Sequence, residues 1–176
     1  MLDQMPPQAS PEAAGLVGTA PQPVFRRVLV PVDGSALAEA ILPFVQALAA
    51  PLRLEVVLLS VVPRIPPQLV EGAPEVVVDN MERLREETDA YVTALAGRVR
   101  AAGLSVLTDV RIGDIPAQIL DAADTWEADL IAMTTHGRSG LSRLAFGSVA
   151  EEVLRHARVP VFIKRAQEPE AQRSAA

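Results

Sequence analysis

MTTHGRSGLSRLAFGSVAEEVLRHARVPVFIKR, residues 133–165, joins a strand end, a glycine-bearing loop, a helix and a closing strand in one run. Asp129 to Met133 reads as a buried strand, Gly137, Gly140 and Gly147 punctuate the loop, a helix opens at Ser148 and runs to His156, and Val159 to Lys164 is again strand-like. A strand, a crossover helix and a second strand in that order make a parallel unit. Between Thr134 and Ala150 there is no acidic residue, yet Arg138 and Arg143 are present in a chain of net charge −6. A positive loop on an acidic protein points to an anionic ligand. The helix start adds unpaired N–H groups and a positive partial charge, and Gly147 lets an anion approach them. Ser148-Val149-Ala150-Glu151 also reads as a capping box, in which Ser148 and Glu151 satisfy those same amides. Both readings stand at the level of sequence.

Upstream, the same alternation repeats. Arg27 to Val32 and Leu54 to Val62 are nearly continuous apolar runs, as expected of parallel strands covered on both faces. Leu37, Ile41, Phe44 and Leu48 lie between them at helical spacing, with Pro43 expected to bend that helix. A long amphipathic helix follows, marked by Met81, Leu84, Tyr91, Val92, Leu95 and Val99 and closed by Gly103. Leu104 to Val110 alternates more clearly, which suits a sheet edge, and Asp114 caps a further helix with Pro116 in its first turn. The sum is βαβαβαβαβ, an open parallel α/β sheet with right-handed crossovers. Such sheets bind ligands where strand order reverses, at the strands' carboxyl ends. Here that places Val32-Asp33-Gly34 opposite Met133 to Gly137. The Pro-, Ala- and Gln-rich residues 1–24 and the polar residues 166–176 are expected to be disordered tails around a domain spanning 25–165.

Composition removes several function classes. The acidic balance argues against non-specific nucleic-acid binding, which needs clustered Lys and Arg, and no aromatic-basic interleave offers a stacking platform. Without cysteine there are no disulfides, thiolate metal sites or cysteine nucleophiles. His136 in the loop and His156 near a helix end lack the paired spacing of a structural zinc site. Glu82, Glu86, Glu87 and Asp89 fall on helix faces as solvated charges. Walker A, GxSxG and kinase signatures are missing, and no catalytic nucleophile or base is identifiable. The N-terminus has no secretory pattern and no run approaches a membrane span, so a cytoplasmic protein with no membrane contact is expected.

Three elements together resemble the universal stress protein family of the UspA type. They are PVDGS at Pro31 to Ser35, a strand ending SVV at Ser60 to Val62, and Gly137 followed after nine residues by Gly147-Ser148. The likeness spans residues 25 to 165. It implies a Rossmann-like, adenine nucleotide alpha hydrolase-like three-layer α/β/α fold with strand order 3-2-1-4-5. It also implies ATP or a related adenine nucleotide as ligand, with Mg2+ carried by the phosphates. Pro31, Val32 and Asp33 would border the adenine, Val61 would add apolar wall, and Met133 and Thr134 would lie near adenosine. Gly137, Gly147, Ser148 and Val149 would hold ribose and phosphates. Arg138 reads equally as a phosphate contact or a solvated loop charge, and Arg143 as the latter. Asp33 can both make an Asx-type turn and bond the ligand. In nucleotide-binding members the frame begins with a glycine where this chain has Thr134, whose branched side chain can crowd the ligand or supply a hydroxyl to it.

Two further expectations concern surfaces. The proline-rich connector Val62 to Pro74 leaves a strand's carboxyl end and is either a lid over the crevice or a variable loop. The short apolar strand Val159 to Lys164 is expected at a sheet edge. The resemblance implies a homodimer through it, using Val159, Val161, Phe162 and Ile163, with Pro160 where no donor is required. Functionally, a nucleotide-sensing module, an interaction dimer that binds no nucleotide, and a slow ATPase are the readings to separate.

Overall fold

The computed structural model describes residues 25–64, 74–135 and 147–165. Both expected tails, most of the connector, and Gly137, Arg138, His136 and Arg143 lie outside the described residues. Five parallel strands form one sheet: β1 (Arg27–Pro31), β2 (Glu55–Pro63), β3 (Ser105–Gly113), β4 (Leu130–Thr135) and β5 (Val161–Arg165). Their spatial order is β3-β2-β1-β4-β5, the doubly wound order expected, with β3 and β5 at the edges. The helices are α1 (Ala36–Glu39), α2 (Leu42–Leu52), α3 (Pro74–Ala101), α4 (Ile115–Thr125) and α5 (Ser148–His156).

Strand alternation divides the core into two layers. Val28, Val30 and Val32 of β1, with Val56 and Leu58 of β2 and Ala132 of β4, pack against α2 and α3 through Val45, Ala49, Val92, Leu95 and Val99. Leu29, Val57, Leu59, Ile131 and Met133 point the other way, onto Ile119, Ala122 and Ala123 of α4 and Ala150 and Val153 of α5. Val28, Leu29 and Val30 are fully buried, so the central strand is covered on both faces, which is why it reads as an unbroken apolar run.

Two expectations change. The first helix is interrupted rather than bent. Ala40 and Ile41 end one helical turn and start α2, with Pro43 in the first turn of α2, where its missing N–H costs no helical bond. The break re-aims the second segment: Ile41, Leu42, Val45 and Ala49 are buried, whereas Phe44 is half exposed. The last strand starts at Val161, two residues later than expected. Pro160 stays outside the strand and contributes only its carbonyl, which accepts from Ile131 N at 3.0 Å.

The amino end of the sheet is closed by paired polar groups. Asp129 Oδ2 accepts from the backbone N–H groups of Arg26 at 2.7 Å and Arg27 at 2.9 Å. The Arg27 guanidinium donates to Glu55 at 2.8 Å and to the Trp126 carbonyl.

Candidate functional site

At the opposite end, β1 and β4 are neighbours whose chains leave the sheet in opposite directions, and a cavity of about 250 Å³ opens there. Pro31, Val32, Asp33, Val61, Met133, Thr134, Gly147, Ser148 and Val149 all line it. Every described residue of the expected site is therefore brought to one crevice from three strands and one helix start. The lining also includes Leu59, Ile115, Ile119, Ala38, Thr135 and Ala150, which the sequence did not single out. Ile115 and Ile119 stand four apart on α4, a spacing that looks like any core-facing helical pair. Asp114, accepting from Ala117 N at 3.1 Å, starts α4 and so puts both isoleucines in the cavity wall. A wider groove of about 790 Å³ adjoins the cavity along Ile115, Ser148 and Val149 and runs out to Arg64.

Asp33 sits in the turn leaving β1. Its Oδ1 accepts from Ser35 N at 3.0 Å and Ser35 Oγ at 2.6 Å, the Asx-type turn expected, while Ser35 Oγ accepts from Ala38 N at 3.0 Å and caps α1. Gly34 between them has φ +82°, a backbone region that suits glycine. Oδ2 of Asp33 has no hydrogen-bond partner among the described residues, and the residue is exposed where it lines the cavity.

The α5 start differs from the capping-box reading. Gly147, not Ser148, is the N-cap; its carbonyl accepts from Glu151 N at 3.0 Å, and among the described residues no side chain caps the helix. Ser148 is the first helical residue and its side chain is exposed. The first-turn amides consequently open onto the cavity without a side-chain acceptor, the arrangement that receives an anion.

Thr134 follows strand alternation onto the Ala132 face, away from Met133 and toward α1. Its Oγ1 is buried and, among the described residues, has no hydrogen-bond partner. Among the described residues no group of His, Cys, Asp and Glu could hold a metal ion, and no helix is long and apolar enough to cross a membrane.

Fold and crevice together define a doubly wound α/β protein whose strand carboxyl end combines apolar walls, one carboxylate and a helix start. The model of the universal stress protein family matches residues 25–165, and the chain belongs to that family. It is 29% identical over 142 residues to universal stress protein MJ0531 of Methanocaldococcus jannaschii, covering 80% of this chain and 82% of that protein. The solved structure of hypothetical protein MJ0577 of the same organism superposes with a TM-score of 0.71 at 25% identity, over 83% of this chain and 99% of the other. A universal stress protein of Archaeoglobus fulgidus solved in complex with dAMP shares the fold at a TM-score of 0.56 and 21% identity, over 80% of this chain and 98% of that one.

Proposed function

We propose that this protein binds ATP or a related adenine nucleotide in the cavity between β1 and β4, as a regulatory ligand and not as a substrate to be turned over. The observation that carries this is the uncapped start of α5 opening onto an apolar cavity next to Asp33. Leu59, Val61, Ile115, Ile119 and Met133 suit a flat heteroaromatic base. Asp33 Oδ2 suits an exocyclic amine or a sugar hydroxyl, both of which donate. The α5 amides suit phosphate oxygens, and Mg2+ would arrive on those phosphates. Gly137 and Arg138 belong to this proposal through the family frame. The relative solved with dAMP supports an adenine ligand in this fold.

Released ligand from denatured, freshly purified protein should contain adenine nucleotide, and ATP should bind the wild type. Gly147→Glu should abolish that binding while leaving the fold intact, because a carboxylate at a helix start favours the helix and repels an incoming phosphate. Following ATP turnover with and without Mg2+ separates a bound ligand from slow hydrolysis. Absence of both retained nucleotide and measurable affinity would favour an interaction protein instead, the reading to which Thr134 in the glycine's place points.

Assembly as a cytoplasmic homodimer through β5 is part of the same proposal. The outer side of β5 has no strand neighbour among the described residues, and Phe162 is 40% exposed with its ring 6.4 Å from that of Phe44. Val159, Val161 and Ile163 pack inward against the α4–α5 layer, so Phe162 is the side chain a partner would cover. Phe162→Asp should shift the protein from dimer to monomer in sedimentation; an unchanged dimer places the interface elsewhere.

A further inference from the structure

Asp33 reaches the cavity from a turn that runs directly into α1, and α1 is a single helical turn of four residues. A helix that short does not hold itself in water, so its placement is set by what grips its two ends. The front end is gripped by Ser35, which caps it and binds Asp33. At the rear end Glu39 is gripped by two side chains of α3. The Tyr91 hydroxyl donates to Oε1 at 3.1 Å, and Arg98 donates to Oε2 at 2.6 Å. Arg98 is 64% exposed, and surface ion pairs of that kind contribute little. Tyr91 is half-buried with its ring packed against the α2–α3 core layer, which makes it the fixed partner of the two. Burial first, then the bond to Glu39 and its charge, pushes this phenol up to about 12, and it remains a proton donor throughout the neutral range.

We propose that Tyr91 is a positioning residue for the nucleotide site: through Glu39 its hydroxyl fixes α1, and with it the Asp33 carboxylate, so that a side chain outside the cavity lining sets the cavity's geometry. This rests on the nucleotide reading above, and two measurements keep the two apart. In ligand-free protein, Tyr91→Phe retains the ring and removes only the hydroxyl. Amide hydrogen exchange at Ala38 and Glu39, whose N–H groups are bonded to Ser35, should then speed up by about 2- to 10-fold, the worth of one net hydrogen bond. Unchanged exchange overturns the latch whether or not any nucleotide binds.

In the second measurement, ATP affinity is compared for the wild type, Tyr91→Phe, Asp33→Asn and the double variant. Tyr91→Phe should weaken binding about 3- to 10-fold, and most of that loss should vanish in the Asp33→Asn background, because the hydroxyl acts through Asp33. Equal binding by Tyr91→Phe and wild type, or losses that simply add, overturn the positioning role while leaving nucleotide binding intact. A wild type that binds no ATP overturns the nucleotide reading and this inference with it.

Discussion

The two ends of the sheet satisfy their polar groups in opposite ways. At the amino end, Asp129 takes up two backbone amides and Arg27 bridges Glu55 and the Trp126 carbonyl, so charged groups find each other within the chain. At the carboxyl end, among the described residues, the first amides of α5 have no side-chain cap, Thr134 Oγ1 is buried without a partner, and Asp33 commits only one carboxylate oxygen. Backbone and side-chain groups that are left unsatisfied in a folded domain need an external partner or a reason. One end of the sheet therefore satisfies its polar groups within the chain, whereas the other is where the proposed nucleotide would complete them.

That contrast can be tested at both ends. The largest effect is expected from Gly147→Glu, which should weaken ATP binding by at least about 100-fold by setting a carboxylate against the phosphates. Retained affinity would show that the α5 start is not the anion site. Next, Asp129→Ala should lower unfolding free energy by about 2 kcal/mol in denaturant titration, since two amides lose a charged acceptor, and should leave ATP affinity unchanged. A loss of affinity there would break the separation of the two ends. The smallest effect belongs to Thr134→Val, which replaces an unpartnered buried hydroxyl by a methyl group of similar shape. In ligand-free protein it should raise stability by about 1 kcal/mol, and a destabilised variant would mean that the hydroxyl is already satisfied.

Much of this was readable from the chain because the strands that matter are buried on both faces. Val28-Leu29-Val30 and Val56 to Leu59 leave no polar position to blur the signal. The crevice followed from topology, as Asp33 and Met133 lie at strand ends that only the doubly wound order brings together. The misreadings share a physical origin in local patterns that have two solutions. Leu37, Ile41, Phe44 and Leu48 keep a helical period straight through the break at Ala40–Ile41, and Pro43 fits a helix start as well as a bend. Ser148 and Glu151 have capping-box spacing, yet the cap falls one residue earlier, at Gly147. On β3, the ladder with β2 runs on to Gly113, past the Val110 where the apolar signal fades, and the charged Asp109 and Arg111 within it pair with each other at 2.7 Å.

The uncapped start of α5 also makes the stability of the whole domain a function of its surroundings. A ligand that binds only the folded chain adds about 2.7 kcal/mol at a hundred times its dissociation constant. For a domain of this size that corresponds to a rise of about 9 °C in melting temperature. Under the nucleotide reading, the fraction of molecules that survive a thermal challenge would then track the adenine nucleotide level around them, with no chemical step at all.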